Sequence, residues 1–396
     1  MTSRKCFAST TSDIGVHRAD RIGYCVVMVF LGGIFAACMA VISIFEPIHA
    51  VYIPAPSDAH PYKVAIAEFP LTVSPRRDLE MSLFMPVANA NCITQCDKIY
   101  MPDEVAKASD AQFFRNASSS VFTKMKHKEC CKSDKAIDAS KLPLVFMEPQ
   151  VGISRFLYSM LARYMSANGM AVAVIDHNTG GSRDLDPFSE LQEWDESVTK
   201  EIDTRRDDID FVLEKLNDIS FLRRQFRSLS FNGSLDTGSF SIVGHGIGGT
   251  TATSLGMEDG RVRFSINLSG SAPSTEEDKQ ATVYFFGRSE FTRDDDINWP
   301  ETWKHLVGKA TEWDFKDAGL FDYSDLPWIA DLARKNENVT IQEVKGLRDS
   351  LGPWGFHVTA CYLEAYLKSE LTDARGDIEK CYHQFDQMQP YSGNQN

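Results

Sequence analysis

The most constraining feature of the chain is ten residues long. Ser241-Ile242-Val243 is a short apolar run, Gly244-His245-Gly246-Ile247-Gly248-Gly249 follows it, and Thr250 opens a stretch of small residues. A run of this length reads as a buried strand, and the glycines permit a tight turn with a strained backbone and close packing behind it. The order expected over 241–250 is therefore strand, turn, helix.

The surrounding sequence supplies what such a strand needs. After Leu142, short apolar runs alternate with helical patterns, which marks a parallel sheet. Leu144-Val145-Phe146-Met147 is the first run. Phe156, Leu157, Met160, Leu161, Tyr164 and Met165 then recur at helical spacing, Asn168-Gly169 supplies a stop, and residues 171–175 form the next run. A charged helix with Ile209, Val212, Leu213 and Leu216 on its apolar face is expected over 193–216. Further strands are expected at 239–243, 264–268, 281–286 and 339–344, with short strand-like stretches between 64 and 84.

Residues 22–45 carry no charge over twenty-four positions. As a helix they would reach ~36 Å, more than the ~30 Å hydrocarbon core of a bilayer. A signal-anchor helix is the reading this favours over a buried core helix. A cleaved signal peptide is the rival, with a weak cleavage site at Ala50, although its apolar region is normally shorter. The expected organisation is a cytosolic tail (1–21), the membrane helix (22–45), a proline-bearing stalk (46–62) and one large domain (63–380). That domain carries a polar, cysteine-bearing surface insertion (89–141) and is followed by a C-terminal tail (381–396).

Arg4, Lys5, Arg18 and Arg21 outnumber Asp13 and Asp20 before the span, so the positive-inside bias keeps the N-terminus cytosolic and puts the domain in the lumen or outside. That tail carries +2 of a total of −14, which leaves −16 beyond it. Nucleic acid and anionic membrane surfaces are not expected as partners on this ground, and the membrane is expected to be met through the N-terminal helix. Cys92, Cys96, Cys130, Cys131, Cys361 and Cys381 lie beyond the span, an even number suited to disulfides, with Cys361–Cys381 the preferred pair. No CxxC occurs, so a metal site is not expected. Sequons stand at Asn116, Asn232, Asn267 and Asn338. Asn267 is expected to lie buried in a strand and unmodified, which leaves Asn116, Asn232 and Asn338 as glycosylation sites.

The turn at 244–249 has the shape of a nucleophile elbow, G-x-S-x-G, with Gly244 and Gly248 in place and Gly246 where serine belongs. Glycine cannot attack a carbonyl, so an acyl-enzyme through this position is closed. A phosphate loop fits worse, since no GxxxxGK[ST] is present, and no cofactor is expected.

At this point the chain resembles the platelet-activating-factor acetylhydrolase family of α/β-hydrolases, which remove short or oxidised acyl chains from phospholipids. Gly244 to Gly249 is similar to that family's G-H-S-F-G-G. Pro143-Leu144-Val145-Phe146, Pro149-Gln150-Val151-Gly152 and Phe156-Leu157-Tyr158-Ser159 resemble its P-L-V-V-F-S-H-G-L-G with L-Y-S close behind. Asn168-Gly169 through Asp176-His177 resembles H-G-F-x-V-A-A-V-E-H. The likeness covers roughly 143–370, more loosely 63–90, and implies an α/β-hydrolase fold with a mostly parallel central sheet behind the N-terminal membrane helix.

Carried across position by position, the resemblance places the nucleophile on Gly246, the acid on Ser269 and the histidine on Asp349, so that no member of the triad keeps its chemistry. The oxyanion hole would use the backbone N–H groups of Ile247 and Val151. His245 matches the family's own elbow histidine and is expected to be a packed turn residue, and His357 a surface or helix-cap residue. Ser154, Ser269, Ser271, Thr250 and Thr251 are the hydroxyls, and His177, His245 and His357 the bases, from which a relocated site would have to be built. The leading expectation is a catalytically inactive hydrolase fold that binds a phospholipid, an acyl ligand or a protein partner whose identity the sequence leaves open. An esterase with relocated groups and a structural or adhesive ectodomain are the alternatives.

Overall fold

The computed structural model describes residues 50–75, 77–114, 121–177, 196–337, 346–347, 350–372 and 376–391. The expected membrane span, the 339–344 strand, Asn116, Asn338 and Asp349 lie outside the described residues. Among the described residues no helix is long and apolar enough to cross a membrane.

The chain enters the fold through Val51–Tyr52 (β1) and then makes a long antiparallel hairpin of Tyr62–Ser74 (β2) and Arg77–Ala88 (β3). Cys92–Ile99 (β4) and Met125–Ser133 (β5) pair antiparallel, and Ile137–Asp138 (β6) makes a two-residue pair with Phe231–Asn232 (β9). The remaining strands are Leu144–Glu148 (β7), Ala171–Asp176 (β8), Phe240–His245 (β10), Val262–Leu268 (β11), Val283–Arg288 (β12), Ala310–Phe315 (β13) and Met388–Pro390 (β14). With β2 and β3 they form a nine-stranded sheet in the order β14-β13-β12-β11-β10-β7-β8-β3-β2. From β13 through β8 every pairing is parallel, whereas β14, β3 and β2 run antiparallel to their neighbours.

The inner parallel strands β7, β8, β10, β11 and β12 are buried on both faces, which is why they read as apolar runs. Alternate residues serve opposite layers. Val145, Met147, Val172 and Val174 pack with the helices Ser159–Ala167 and Pro353–Leu371. Leu144, Phe146, Ala171 and Ala173 pack with Ile209, Val212, Leu213 and Leu216 of the helix Glu196–Leu216. Asn267 sits fully buried on β11, with Nδ2 donating to Thr253 Oγ1 and the Gly270 carbonyl. Asn232 is exposed.

Three expectations about organisation need correction. The 89–141 segment is not a plain surface insertion: β4 and β5 join β1 in a separate three-stranded sheet, and Tyr100, Phe113, Phe122 and Met125 enter the same core cluster as the Ser159–Ala167 helix. Its apolar residues come in runs of at most three among polar and charged ones, so composition hides them. The segment expected as a stalk is docked from Val51 onward, because β1 pairs with β5 and Ile53 is buried, its N–H donating to the Lys126 carbonyl. The expected C-terminal tail is also structured, since Met388–Pro390 adds an edge strand to β13.

Disulfides join Cys92 to Cys130, Cys96 to Cys131 and Cys361 to Cys381, each with Cα atoms 5.8–5.9 Å apart. The last is the pair the sequence favoured.

Candidate functional site at the carboxyl ends of β7, β10 and β11

In open parallel sheets, ligands bind beyond the carboxyl ends of the strands, where connections leave in opposite directions. Here that edge gathers the loop after β7, the turn after β10 and the end of β11. β10 ends at His245, and Gly246 adopts φ +55° and ψ −123° before the helix Ile247–Glu258 begins. A side chain in this backbone region is strained. Close approach demands the flanking glycines too: a Cβ on Gly244 would overlap the Gly248 carbonyl, and one on Gly248 would overlap the carbonyl of Glu148 on β7.

His245 is fully buried, and burial drives its pKa down to about 3, so the ring is neutral. Its Nδ1 lies 2.8 Å from the Tyr158 hydroxyl, which also accepts the Gln150 N–H at 3.0 Å. The ring thus braces the turn as a packed residue.

The two expected oxyanion donors do converge. Ile247 N–H and Val151 N–H point at one position, and that position holds the side-chain oxygen of Gln150, at 2.9 Å and 3.1 Å. Two donors fix which end of the amide is oxygen. A Cβ added to Gly246 would overlap this same oxygen. Both donors are legible in the sequence, where Gln150 stands only as a replacement within a motif. Its reach back to the N–H of the next residue leaves no periodic signal.

Ser269 follows β11 with φ +56°, and its Oγ accepts from Arg288 Nε at 2.9 Å. No carboxylate stands at that position. The hydroxyls of Thr250 and Thr251 turn back to the carbonyls of Gly246 and Ile247. Ser154 caps the turn at 155–158 and reaches Asp176, and Ser271 bonds Asp296. His357 packs edge-on against Trp328. These hydroxyls and bases are not assembled into a relay.

His177 is held differently. Nε2 lies 2.7 Å from Glu148 Oε2 and Nδ1 2.9 Å from Asp208 Oδ2, both carboxylates fully buried. Burial disfavours the imidazolium, but Glu148 and Asp208 outweigh it and raise the pKa. Arg77 pairs with Asp208 from β3, and Arg205 joins Glu201 to Glu148. Beside this network a cavity of about 190 Å³ is lined by Gln150, Ser154, Asp176, His177, Glu201 and Arg205, with Ile153 and Ile175 among its apolar walls.

Strand order, elbow and converging N–H donors together decide the architecture. The fold is α/β-hydrolase-like. The chain matches no family profile. It is 24% identical over 320 residues to a probable 1-alkyl-2-acetylglycerophosphocholine esterase of Arthroderma benhamiae, covering 70% of this chain and 77% of that protein. The structure is similar to a ferulic acid esterase from Streptomyces cinnamoneus, with a TM-score of 0.60 and 20% identity, over 83% of this chain and 95% of that one.

Proposed function

We propose that this chain is a membrane-anchored protein of hydrolase type whose domain has given up ester hydrolysis and binds a ligand instead. Its weak likeness to a probable glycerophosphocholine-ester esterase supports hydrolase ancestry and a lipid or acyl ligand class. The observation that carries the loss of catalysis is Gln150 Oε1, seated on the Ile247 and Val151 N–H groups beside a glycine that has no nucleophile. Oxyanion catalysis depends on those donors being open to the developing charge. In this reading Gly246, Ser269 and Asp349 are the vacated triad positions.

The test is hydrolysis of p-nitrophenyl acetate and a 2-acetyl phospholipid by the purified full chain in detergent, alongside a fluorophosphonate serine probe. No turnover above buffer and no labelling are expected. Turnover with one probe per chain overturns the proposal.

The alternative, an esterase with relocated groups, draws on one arrangement far along the sequence from the elbow. Ser57 Oγ lies 3.1 Å from His60 Nδ1, and His60 Nε2 lies 3.5 Å from Glu364. The serine and histidine are three residues apart in an exposed turn, where such contacts are ordinary local geometry. If labelling did occur, its disappearance in Ser57→Ala would favour this alternative.

A further inference from the structure

The cavity beside the filled oxyanion seat has a chemical character of its own. Arg205 has only 4% of its side chain exposed. Its Nε donates to Glu201 and its Nη1 to the Pro149 carbonyl, with Glu148 3.5 Å away. Its Nη2 donates to no acceptor among the described residues. Gln150 is in the same condition: its oxygen holds both N–H donors, and its Nε2 has no acceptor among the described residues. Both residues line the same cavity.

The acidic neighbours do not cancel this. Asp176 is committed to the Arg155 N–H and guanidinium, and Glu201 to Arg205 itself. Glu148 and Asp208 are matched by His177 and Arg77. Ile153, Ile175 and Pro149 supply apolar wall. A guanidinium N–H pair beside an amide N–H pair suits a planar oxygen pair, and the walls suit a short hydrocarbon tail.

We propose that this cavity binds a small aliphatic carboxylate, held by Arg205 Nη2 and Gln150 Nε2. This deepens the binding reading above and rests on it, because Gln150 presents Nε2 only while its oxygen stays in the oxyanion seat. Gln150 then does two jobs: one end of the amide closes the old catalytic position and the other reads the ligand.

Isothermal titration of the full chain in nanodiscs with sodium butyrate, against butyramide and inorganic phosphate, tests this. Butyrate is expected to bind at least about tenfold more tightly than butyramide, the worth of one charge-assisted contact. Gln150→Glu keeps an oxygen for the two N–H groups but turns a second carboxylate oxygen toward the cavity, and should weaken butyrate by about tenfold or more. Arg205→Lys keeps the charge and removes the fork, and should weaken it as well; an unchanged melting temperature in either variant shows that folding is intact. Equal binding of butyrate and butyramide, tighter binding of phosphate, undiminished butyrate binding by a folded Gln150→Glu, or no binding up to about 50 mM would each overturn the assignment. Ester turnover, by contrast, would remove the non-catalytic reading without altering these binding ratios.

Discussion

At Gly246 two costs meet in one residue. An L side chain there must accept φ +55° and must also evict the Gln150 oxygen from two N–H donors. The first cost is about 1–3 kcal/mol and the second adds the desolvation of donors left unpaired. We predict that Gly246→Ser and Gln150→Ala are each destabilising but not additive, with the double variant recovering about 1–2 kcal/mol relative to the sum. Urea unfolding of the four proteins measures this, and additivity would mean that the two side chains do not compete for one space. A corollary concerns activity: Gly246→Ser, Ser269→Asp and Asp349→His together should stay inactive on p-nitrophenyl acetate unless Gln150 is also shortened.

Among elements, the Glu196–Leu216 helix is tied to the sheet by charge as well as by its apolar face. His177 at the end of β8 touches Glu148 on β7 and Asp208 on the helix, with Arg205 and Arg77 completing the set. Since the folded pKa of His177 is raised above its ordinary value of about 6.5, its stabilisation is whole below about 6.5 and fades as pH rises through the folded value. His177→Asn should cost about 3 kcal/mol at pH 6 and flatten the decline in stability above pH 6.5. Denaturation at a series of pH values checks both, and an unchanged slope would remove His177 from the explanation. The cysteine-bearing sheet is a second case: β4 and β5 are stapled by Cys92–Cys130 and Cys96–Cys131, which close 38- and 35-residue separations. Cys92→Ser with Cys130→Ser should lower stability by about 2–4 kcal/mol in chemical denaturation.

The same elements explain what could be read beforehand. Strands β7, β8, β10, β11 and β12 announced themselves because burial on both faces leaves an uninterrupted apolar run. Ala310–Phe315 did not, because as the penultimate strand it carries Glu312 and Asp314 among few apolar residues. The elbow was legible from Gly244, Gly246 and Gly248, whose spacing reflects local backbone crowding. Gln150 was illegible as the occupant of the seat, because Val151 and Ile247 are ninety-six positions apart and only the fold joins them at one oxygen.

For the whole molecule, the localisation proposed from the first forty-five residues has a direct readout. The full chain should stay with membranes after alkaline carbonate extraction, and a chain beginning at residue 46 should be released. Peptide N-glycosidase treatment of the secretory-pathway protein should convert Asn232, which is exposed, and leave Asn267, which is sealed within β11. A glycan recovered on Asn267 would contradict the buried strand. The −16 charge of residues 46–396 keeps their surroundings repulsive to other acidic surfaces at long range, so capture of a small carboxylate must rest on the short-range donors of the cavity rather than on steering.

The docking of Val51–Tyr52 has a mechanical consequence. Tension arriving along the chain from the residues before it enters through β1, which is zipped to β5 at Met125 and Lys126, with the next carbonyl, that of Pro54, gripped by Arg163. β5 in turn is covalently riveted to β4, so the pull is taken up by the small stapled sheet before it can reach the parallel strands that frame the cavity. A pull on the chain ahead of Val51 thus meets a strain relief where it enters the fold, and the pocket geometry is insulated from it.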